Sequence, residues 1–436
     1  MLVNVRQVAH VDNRSMKISV IIPTRERAAY LKHSVATALA ISDPDVEIIV
    51  SDNCSTDGTD AVLAAFHDPR LRVVSPGQRV SMRQNFEYAL GQATGDYLIF
   101  FGDDDGILPG QFAALRHLLQ THRPDCLSWS RMSYGWPAQQ TKGKLGGIRF
   151  ERHKLFGSPA PVDLPALTRR VVKADFLWGD DFPALYHGTV SRACIERLRP
   201  DGGDFFRAKV PDFYFTFLAA MTGIHHLHVA HSFTINGHSP ASTGGSYNRE
   251  KGADGQKDPA SRFVTEAATD PHQDPVKIGM GIPAAFLETF EAARAVYGPD
   301  APPPDHAAWY DFILTRSAHL SADAKADLMA NLQTYAKATG TEPQLDRVAS
   351  ISSPALRFLD RLSGPRLRAQ WSKLANKIGS FRLDAAQDGE NTILTAARMA
   401  DIVLGTDFRA TLDGKLTPNE AWAAAKTRAA GFTRQF

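Results

Sequence analysis

The first 125 residues alternate short β-branched and apolar runs with segments of helical periodicity. This alternation is typical of βαβ units, which build a mainly parallel sheet with helices on its faces. The predicted strands are Lys17 to Ile22, Glu47 to Ser51, Leu71 to Val74 and Tyr97 to Phe101. The predicted helices are Ala28 to Ala40, Thr59 to Phe66, Ser81 to Gly91 and a further one after Pro109. The wholly apolar run at Tyr97 indicates a buried central strand.

Beyond residue 124 the pattern changes twice. Short strands and loops are predicted up to His238, with Asp212 to Met221 as the clearest helix. Residues 239–260 are rich in Gly, Ser, Asn and charge, which indicates a flexible loop. From about Pro283 the pattern is helical. Met16 directly precedes the first strand, so residues 1–15 are predicted to be a disordered extension or to lie ahead of the true start.

Composition excludes several classes of protein. Of 436 residues, 49 are Lys or Arg and 47 are Asp or Glu, and this net charge of +2 argues against a general nucleic-acid binder. Three widely spaced cysteines form neither a disulfide framework nor a zinc motif, which favours a reducing compartment. No run approaches the roughly 20 apolar residues that cross a bilayer, and the first sixteen residues lack a signal-peptide core. We therefore predict a cytoplasmic location.

Three polar clusters follow predicted strands: PTRER (23–27), SDNCSTDG (51–58) and GDDDG (102–106). Ligands bind at the carboxyl ends of parallel strands, so these clusters are expected to form one pocket. Arg25 and Arg27 suit phosphate, while Asp103 to Asp105 suit Mg²⁺ or Mn²⁺ bridging a carboxylate to a diphosphate. A solvated turn or a helix-capping turn would explain each cluster separately. The buried strand that precedes the three aspartates would place them at the edge of the sheet, which favours a metal site over a solvated turn.

The order KISVIIPTRER, EIIVSDNCSTDGT and SMRQNFEYALGQATGDYLIFFGDDDGILPGQF resembles the nucleotide-binding half of family 2 glycosyltransferases with the GT-A fold, over roughly Lys17 to Leu119. The resemblance implies that Pro23, Thr24 and Arg27 line the nucleotide site. It implies that Asp52 accepts a hydrogen bond from the base, that Arg83 faces the diphosphate, and that Asp103 to Asp105 form the DxD-type metal motif. Gly102 replaces the first aspartate of the common Asp-x-Asp-Asp pattern. Asp104 then takes the usual metal-ligand position. Asp105 is a second candidate metal ligand, and Asp103 is a candidate contact to the nucleotide.

This family likeness gives a domain plan for an α/β protein with a Rossmann-like, mainly parallel sheet. After the extension at 1–15, it predicts a nucleotide-sugar-binding half at 16–124 and an acceptor-binding half at 125–260. A mostly helical C-terminal region is predicted at 261–436.

Inverting members of the family use a carboxylate as general base on the acceptor hydroxyl, and it must lie opposite the leaving diphosphate. Asp212, at a helix start in the acceptor half, is the candidate, although it would equally serve as a helix cap. Asp180 and Asp181 are alternatives. His187 is a further candidate for the acceptor or diphosphate site, and the alternative is that it is a buried, hydrogen-bonded histidine with a structural role. The segment containing His238 and Ser239 is another candidate for the acceptor or diphosphate site. The spacing of His226 and His228 matches no recognised zinc motif.

A basic segment at 357–382 has the features of an amphipathic helix. Leu367, Trp371, Leu374, Ile378 and Phe381 recur at spacings of four and three among seven Arg or Lys residues. Such a helix would lie on an anionic membrane surface or pack on protein. Peripheral membrane contact is therefore a hypothesis.

The sequence as a whole predicts an inverting, metal-dependent glycosyltransferase of bacterial surface polysaccharide synthesis. Its donor would be a UDP, dTDP or GDP sugar and its acceptor a glycan or lipid-linked glycan. A nucleotidyltransferase is the first alternative, but the PTRER loop has no glycine. The second is a non-catalytic glycan-binding protein on a decayed domain.

Overall fold

A computed structural model of the chain describes residues 15–137, 146–177, 179–200, 203–240, 266–272, 276–278, 281–350 and 379–433. The extension ahead of residue 15, nearly all of the predicted loop at 239–260 and most of the basic segment at 357–382 lie outside these residues.

A large mixed sheet forms the centre of the molecule. Its strands are β1 (Ile18–Thr24), β2 (Val46–Asp52), β3 (Leu71–Val74), β4 (Tyr97–Phe100), β6 (Cys126–Trp129), β9 (Pro159–Pro161), β10 (Gly188–Ser191) and β11 (His226–Val229). The strand order is β3-β2-β1-β4-β10-β6-β11-β9. The first four strands are parallel, as the alternating pattern predicts, and β10 runs antiparallel to both of its neighbours. The predicted strands agree with the observed ones to within two residues.

Helices connect and cover these strands. They are α1 (Ala28–Leu39), α2 (Thr59–Ala64), α3 (Met82–Gln92), α4 (Phe112–His122), α5 (Leu164–Val172), α6 (Arg192–Leu198) and α7 (Pro211–Met221). Capping side chains and proline determine where several of these helices begin. The Ser81 hydroxyl accepts from the Gln84 N–H while the Gln84 side chain accepts from the Ser81 N–H, a capping box that begins α3. Proline at the first position begins α7.

A smaller second sheet lies beside the first. It contains β5 (Gly106–Ile107), β7 (Met132–Gly135), β8 (Gly147–Glu151), β12 (Thr234–His238) and β13 (Ser380–Asp384), in the order β13-β8-β7-β12-β5. The predicted amphipathic helix is wrong at its C-terminal end, because Phe381 and Arg382 lie in β13. Phe381 stacks on Phe150 with ring centroids 4.8 Å apart, so strand pairing packs it, partly buried, against the apolar face of the sheet.

The C-terminal part of the chain is mostly helical, as predicted, and packs on both faces of the large sheet. Its helices are α8 (Ile282–Tyr297), α9 (His306–Arg316), α10 (Ala322–Thr339), α11 (Glu342–Ser350), α12 (Ile393–Leu404), α13 (Asp407–Leu412) and α14 (Pro418–Ala429). The first four join the core that contains Ile21, together with α7. The last three join the core that contains Val20, together with α1 and the second sheet.

This architecture confirms the predicted fold class, an α/β protein with a mainly parallel donor-side sheet and a helical C-terminal region. In the parts of the chain that the structure describes, no helix is both long enough and apolar enough to span a bilayer.

Candidate active site

The polar clusters after β1, β2 and β4 meet at one edge of the large sheet, as predicted. Thr24 and Asp52 are cross-strand partners at the ends of β1 and β2. The Thr24 hydroxyl donates to Asp103 Oδ2 at 2.8 Å, which joins the end of β1 to the turn after β4. Pro23 precedes Thr24 in the same strand. The Asp52 carboxylate accepts from the Ser55 hydroxyl at 2.5 Å and so also orders its own loop.

Residues 102–106, which we call the aspartate turn, hold three carboxylates in different environments. Asp103 is buried, and Arg27 Nη1 lies 3.4 Å from its Oδ1. The same nitrogen lies 3.5 Å from Asp104 Oδ2. Burial raises the pKa of Asp103, although Arg27 and the Thr24 hydroxyl oppose the rise. Arg27 therefore bridges the first two carboxylates.

Asp104 is the carboxylate of the turn with the most unfavourable charge environment. Burial and the adjacent Asp105 and Asp103 raise its pKa to about 7. The Ser239 hydroxyl donates to Oδ2 at 2.5 Å, and the indole N–H of Trp136 donates to the Asp104 main-chain oxygen at 2.8 Å. Among the described residues nothing donates a hydrogen bond to Oδ1. A cation at Oδ1 would relieve the repulsion among these carboxylates, so this residue fits the predicted metal ligand.

Asp105 was also predicted to bind metal, but its carboxylate is committed to the protein. Oδ1 accepts from the Gly237 N–H at 2.7 Å. Oδ2 accepts from the Tyr186 hydroxyl at 2.6 Å and from the Gly102 N–H at 2.9 Å. Burial alone would raise the pKa of Asp105, but His187 and these donors hold it below the ordinary value. Through these bonds Asp105 anchors the turn, and its role as a metal ligand stays a prediction.

Gly102 departs from the family pattern for a visible reason. A Cβ at this position would lie 2.4 Å from the Tyr186 hydroxyl and 2.8 Å from Asp105 Oδ2. Tyr186 thus occupies the space that a side chain at residue 102 would enter.

Gly237 brings the second sheet into direct contact with the aspartate turn. A Cβ on Gly237 would lie 1.8 Å from the main-chain oxygen of Asp104, so the backbones of β12 and the turn approach closely. Only glycine permits this approach. It places Ser239, two residues later, on Asp104.

His187 is buried behind Asp105. The Trp129 indole donates to Thr234 Oγ1 at 2.8 Å, and the same hydroxyl lies 2.9 Å from His187 Nδ1. His187 Nε2 faces Asp105 Oδ2 at 3.1 Å. His187 is thus the buried, hydrogen-bonded histidine of the alternative prediction, and its contact is to the aspartate turn.

Asp212 lies in the first turn of α7, where the prediction places a general base. Val210, not Asp212, is the N-cap residue, and it makes no side-chain capping bond. Burial raises the pKa of Asp212 to about 6. The helix N–H groups of Phe213 and Asp212 and the nearby Arg131 and His187 lower this pKa but do not cancel the effect of burial. A carboxylate with a pKa near neutrality suits general-base catalysis.

The other predicted acceptor residues are more exposed. The Asp181 side chain is 40% exposed, and Arg170 Nη1 lies 3.2 Å from its Oδ1. Asp180 pairs with Arg131 at 3.0 Å. His238 is exposed, and its Nε2 lies 2.9 Å from the Ser133 hydroxyl.

Two of the three arginines expected to meet phosphate, Arg25 and Arg83, have carboxylate partners that follow the predicted acceptor half in sequence. Arg25 Nη2 lies 2.7 Å from Glu266 Oε1. Arg83 forms a two-point contact with Asp270, at 2.8 and 2.7 Å, and its Nη1 donates to Asp204 at 2.7 Å. The Arg83 side chain is only 3% exposed and forms a buried ion pair, and its contact with a diphosphate stays a prediction.

The C-terminal helices brace the aspartate turn from behind. The Ile393 side chain fills the space beside Gly106, where a Cβ would come within 2.8 Å of it. Asp401 on α12 accepts from the Gly110 N–H at 2.8 Å and from Gln111 Nε2 at 3.3 Å. Burial raises the pKa of Asp401 to about 6 despite these donors.

Sequence reasoning missed Tyr186, Trp136, Gly237 and Thr234. Tyr186 is adjacent to His187 and could have been found with it, whereas the other three carry no local signal. In the described ranges, no three His, Cys, Asp or Glu side chains converge as a ready-made metal site.

The fold and the site define the class, an α/β protein with acidic and basic groups at the carboxyl ends of parallel strands. Residues 19–166 match the model of glycosyl transferase family 2. This match agrees with the predicted resemblance to family 2 glycosyltransferases and covers about a third of the chain.

Curated relatives match the same part of the chain. It is 32% identical over 102 residues to a GalNAc(5)-diNAcBac-PP-undecaprenol beta-1,3-glucosyltransferase of Campylobacter jejuni, covering 23% of this chain and 33% of the relative. It is 31% identical over 111 residues to the abequosyltransferase RfbV of Salmonella typhimurium, covering 24% and 33%. The matches span about a third of the length of these relatives. Among solved structures, TarS 1-349 of S. aureus in complex with UDP-GlcNAc aligns with 77% of this chain and 91% of its own, at 16% identity and a TM-score of 0.43.

Proposed function

We propose that this protein is an inverting, metal-dependent glycosyltransferase. It would transfer a sugar from a nucleoside-diphosphate sugar to a hydroxyl of a glycan or lipid-linked glycan, in bacterial surface polysaccharide synthesis. The observation that carries the proposal is the position of Asp104. Its carboxylate stands where the end of β4, the loop after β1 and the end of β12 meet, in contact with Arg27 and Ser239.

The donor half supplies groups for a nucleotide. Asp52 and Thr24 end adjacent parallel strands, which is where such sheets bind ligands. Asp52 would accept from the base, and Pro23, Thr24 and Arg27 would line the nucleotide site with Asp103. Arg25 would release its ion pair with Glu266 and bind the diphosphate instead.

Asp104 is the residue we assign to the metal, Mn²⁺ or Mg²⁺. Its buried carboxylate lies between two others, and a divalent cation would compensate that charge. When bound, the ion would stabilise negative charge developing on the leaving diphosphate. Ser239 and Trp136 hold Asp104 in place through its side chain and main chain. Asp105 positions the turn.

Asp212 is the proposed general base. It lies on the acceptor side, and its raised pKa leaves it ionised and able to accept a proton above about pH 6. Arg131 and His187 lie near enough to influence its pKa, and His187 contacts Asp105. This chain of neighbours supports the proposal that the base acts near the aspartate turn.

Two matched relatives are named for sugar transfer in glycan assembly, one of them onto an undecaprenol-linked acceptor. They support the proposed glycan or lipid-linked glycan acceptor. The free cysteines Cys54, Cys126 and Cys194 fit the proposed cytoplasmic location. Peripheral membrane contact stays a hypothesis, because most of 357–382 lies outside the described residues.

The test has two parts. Calorimetry with UDP, GDP and dTDP, each with and without Mn²⁺, should find one nucleotide that binds more tightly with metal. A donor-hydrolysis screen over common nucleotide sugars should then identify the sugar. Asp104→Asn should abolish turnover, whereas Asp323→Asn, on exposed α10, should not change it. Binding of no nucleotide would favour a non-catalytic protein, and undiminished activity in excess EDTA would refute the metal assignment.

A further inference from the structure

One face of α1 lies along the aspartate turn. Polar side chains at spacings of three, four and three residues share this face: those of Arg27, Tyr30, Ser34 and Thr37. Arg27 Nη1 lies 3.4 Å from Asp103 Oδ1. The Ser34 hydroxyl donates to the main-chain oxygen of Gly102 at 3.0 Å, and the Thr37 hydroxyl accepts from the Ile107 N–H at 3.0 Å. Three of the four polar groups are therefore bonded to the turn or to the residue after it.

Tyr30 is the exception on this face. Its side chain is partly exposed, and among the described residues its hydroxyl has no hydrogen-bond partner. The ring packs edge-on against Trp136, with centroids 4.9 Å apart and an interplanar angle of 82°. The Trp136 indole N–H donates to the main-chain oxygen of Asp104 at 2.8 Å. The ring of Tyr30 is thus fixed beside Asp104, while its hydroxyl has hydrogen-bonding capacity left for a ligand.

The surroundings of the Tyr30 hydroxyl keep it protonated. Burial raises its pKa, Arg27 lowers it, and Asp104 and Asp103 raise it again. The hydroxyl therefore lies near this guanidinium and both carboxylates, and it can donate a hydrogen bond at neutral pH. Ionised carboxylates only accept, so a phosphate bound beside them needs donors that are cationic or neutral. Tyr30 offers such a donor without adding charge to the turn.

The position of Tyr30 along the sheet edge indicates which phosphate it would meet. Asp52 ends β2, Thr24 ends β1, and the aspartate turn follows β4, in the order in which these strands lie side by side. A nucleoside at Asp52 and Thr24 would therefore extend its phosphates toward the turn. Tyr30 contacts Trp136, which directly follows β7 of the second sheet, so it lies at the end of this path, beside Asp104. The terminal phosphate is the one that would reach this end.

We propose that the Tyr30 hydroxyl donates a hydrogen bond to the terminal phosphate of a bound nucleoside diphosphate. In a nucleotide sugar this phosphate carries the sugar, so the same bond would help to hold the leaving group. The inference rests on the proposed function, because it concerns the donor of that reaction. It goes beyond that function by assigning one donor phosphate to a residue of α1 that the site motifs do not include.

Calorimetry with fragments of the donor tests the contact. The mono- and diphosphates of uridine, guanosine and thymidine are titrated in Mn²⁺ into the full chain, as wild type and as Tyr30→Phe. Affinity for the diphosphate that binds the wild type most tightly should fall about tenfold or more, because a hydrogen bond to a charged group is lost. Affinity for the matching monophosphate should change less than about twofold. Tyr88→Phe is the matched control and should change neither affinity, because Tyr88 is also a partly exposed tyrosine whose hydroxyl has no hydrogen-bond partner among the described residues.

Two further measurements separate phosphate binding from folding and from the metal. The Tm of Tyr30→Phe should equal that of the wild type, because phenylalanine keeps the packing on Trp136. The factor by which Mn²⁺ tightens diphosphate binding should be the same in both proteins. A fall in Tm that accompanies lost binding would overturn the proposal, because the hydroxyl would then be structural. A smaller Mn²⁺ factor in Tyr30→Phe would overturn it as well, since Tyr30 would then act through the metal at Asp104.

Other outcomes separate the tyrosine contact from the proposed function. An equal loss of affinity for mono- and diphosphate would overturn the contact, because Tyr30 would then act on the nucleoside or the first phosphate. A loss found only with an intact nucleotide sugar would overturn it too, by assigning the hydroxyl to the sugar. A wild type that binds no nucleotide would refute the proposed transferase. Full diphosphate affinity in Tyr30→Phe, with metal-dependent binding in the wild type, would refute only the tyrosine contact.

Discussion

The Ser239 hydroxyl donates to Asp104 Oδ2 at 2.5 Å, across a sequence separation of 135 residues. This bond fixes the rotamer of the carboxylate that we assign to the metal. It also means that the proposed donor site is completed by a residue of the predicted acceptor half.

Ser239→Ala should weaken metal-dependent nucleotide binding by about 10-fold to 150-fold, because a hydrogen bond to a buried charged group is worth about 1.5–3 kcal/mol. Calorimetry in Mn²⁺ measures the change. Ser321→Ala removes a helix-capping hydroxyl far from the site and should leave nucleotide affinity unchanged. Equal affinities in wild type and Ser239→Ala would show that Asp104 needs no support from β12.

Asp104→Asn and Asp105→Asn should affect stability in opposite directions. Asp105 accepts hydrogen bonds at both oxygens and faces His187. In Asp105→Asn the amide N–H₂ would face a hydrogen-bond donor where an oxygen now accepts, so the free energy of unfolding should fall by about 3–5 kcal/mol. Asp104 is buried beside two carboxylates, so removing its charge should leave the metal-free Tm unchanged or raise it. Thermal unfolding in EDTA compares the two variants. A larger loss of stability in Asp104→Asn would reverse the roles that we assign to them.

Gly237→Ala should disrupt the aspartate turn. The new Cβ would lie 1.8 Å from the Asp104 carbonyl oxygen, and relief requires the backbone to move. We expect a loss of about 3 kcal/mol or more, with loss of nucleotide binding. Gly223→Ala is the control, because its Cβ would meet nothing within 4 Å. A Gly237→Ala protein as stable as that control would refute the close approach.

Asp212 gives a directional pH prediction. Because burial raises its pKa to about 6, transfer should decline as the pH falls through 6, when the base becomes protonated. Asp212→Asn should lower kcat by about 100-fold to 10,000-fold and leave donor affinity intact. The pH–rate profile and calorimetry check these two outcomes. A variant with wild-type kcat would exclude Asp212 as the base.

Asp401 should make stability fall as pH rises. Its folded pKa of about 6 exceeds the ordinary value of 3.8, so between about pH 4 and 6 the folded state binds more protons than the unfolded state. The free energy of unfolding contributed by this group therefore decreases across that window. Relative to the wild type, Asp401→Asn should gain stability from pH 4 to pH 7 in urea titrations. A constant difference would contradict the raised pKa.

The donor half could be predicted closely because its signals are local. The apolar run ending at Phe101 and the periodicity of α3 are properties of consecutive residues, and strand ends of a parallel sheet must meet at one edge. Asp104 and Asp52 followed from that geometry and from the family likeness.

The different roles of the three aspartates could not be predicted. Asp105 is an anchor because Tyr186 and Gly237 donate to it, and both lie more than 80 residues away in sequence. The strand at Phe381 was missed for a similar reason. Its helical spacing with Ile378 is local, whereas pairing with Phe150 depends on a partner that the pattern does not reveal.

The brace formed by Ile393 and Asp401 has a consequence for synthesis on the ribosome. At about 5–20 residues per second, the β4 strand emerges many seconds before α12 exists to support the turn that follows it. The nascent donor half must therefore wait with an incomplete core, exposing apolar surface that chaperones would recognise. Formation of the binding site is thus a late event in the life of the chain, even though its residues are among the first to be made.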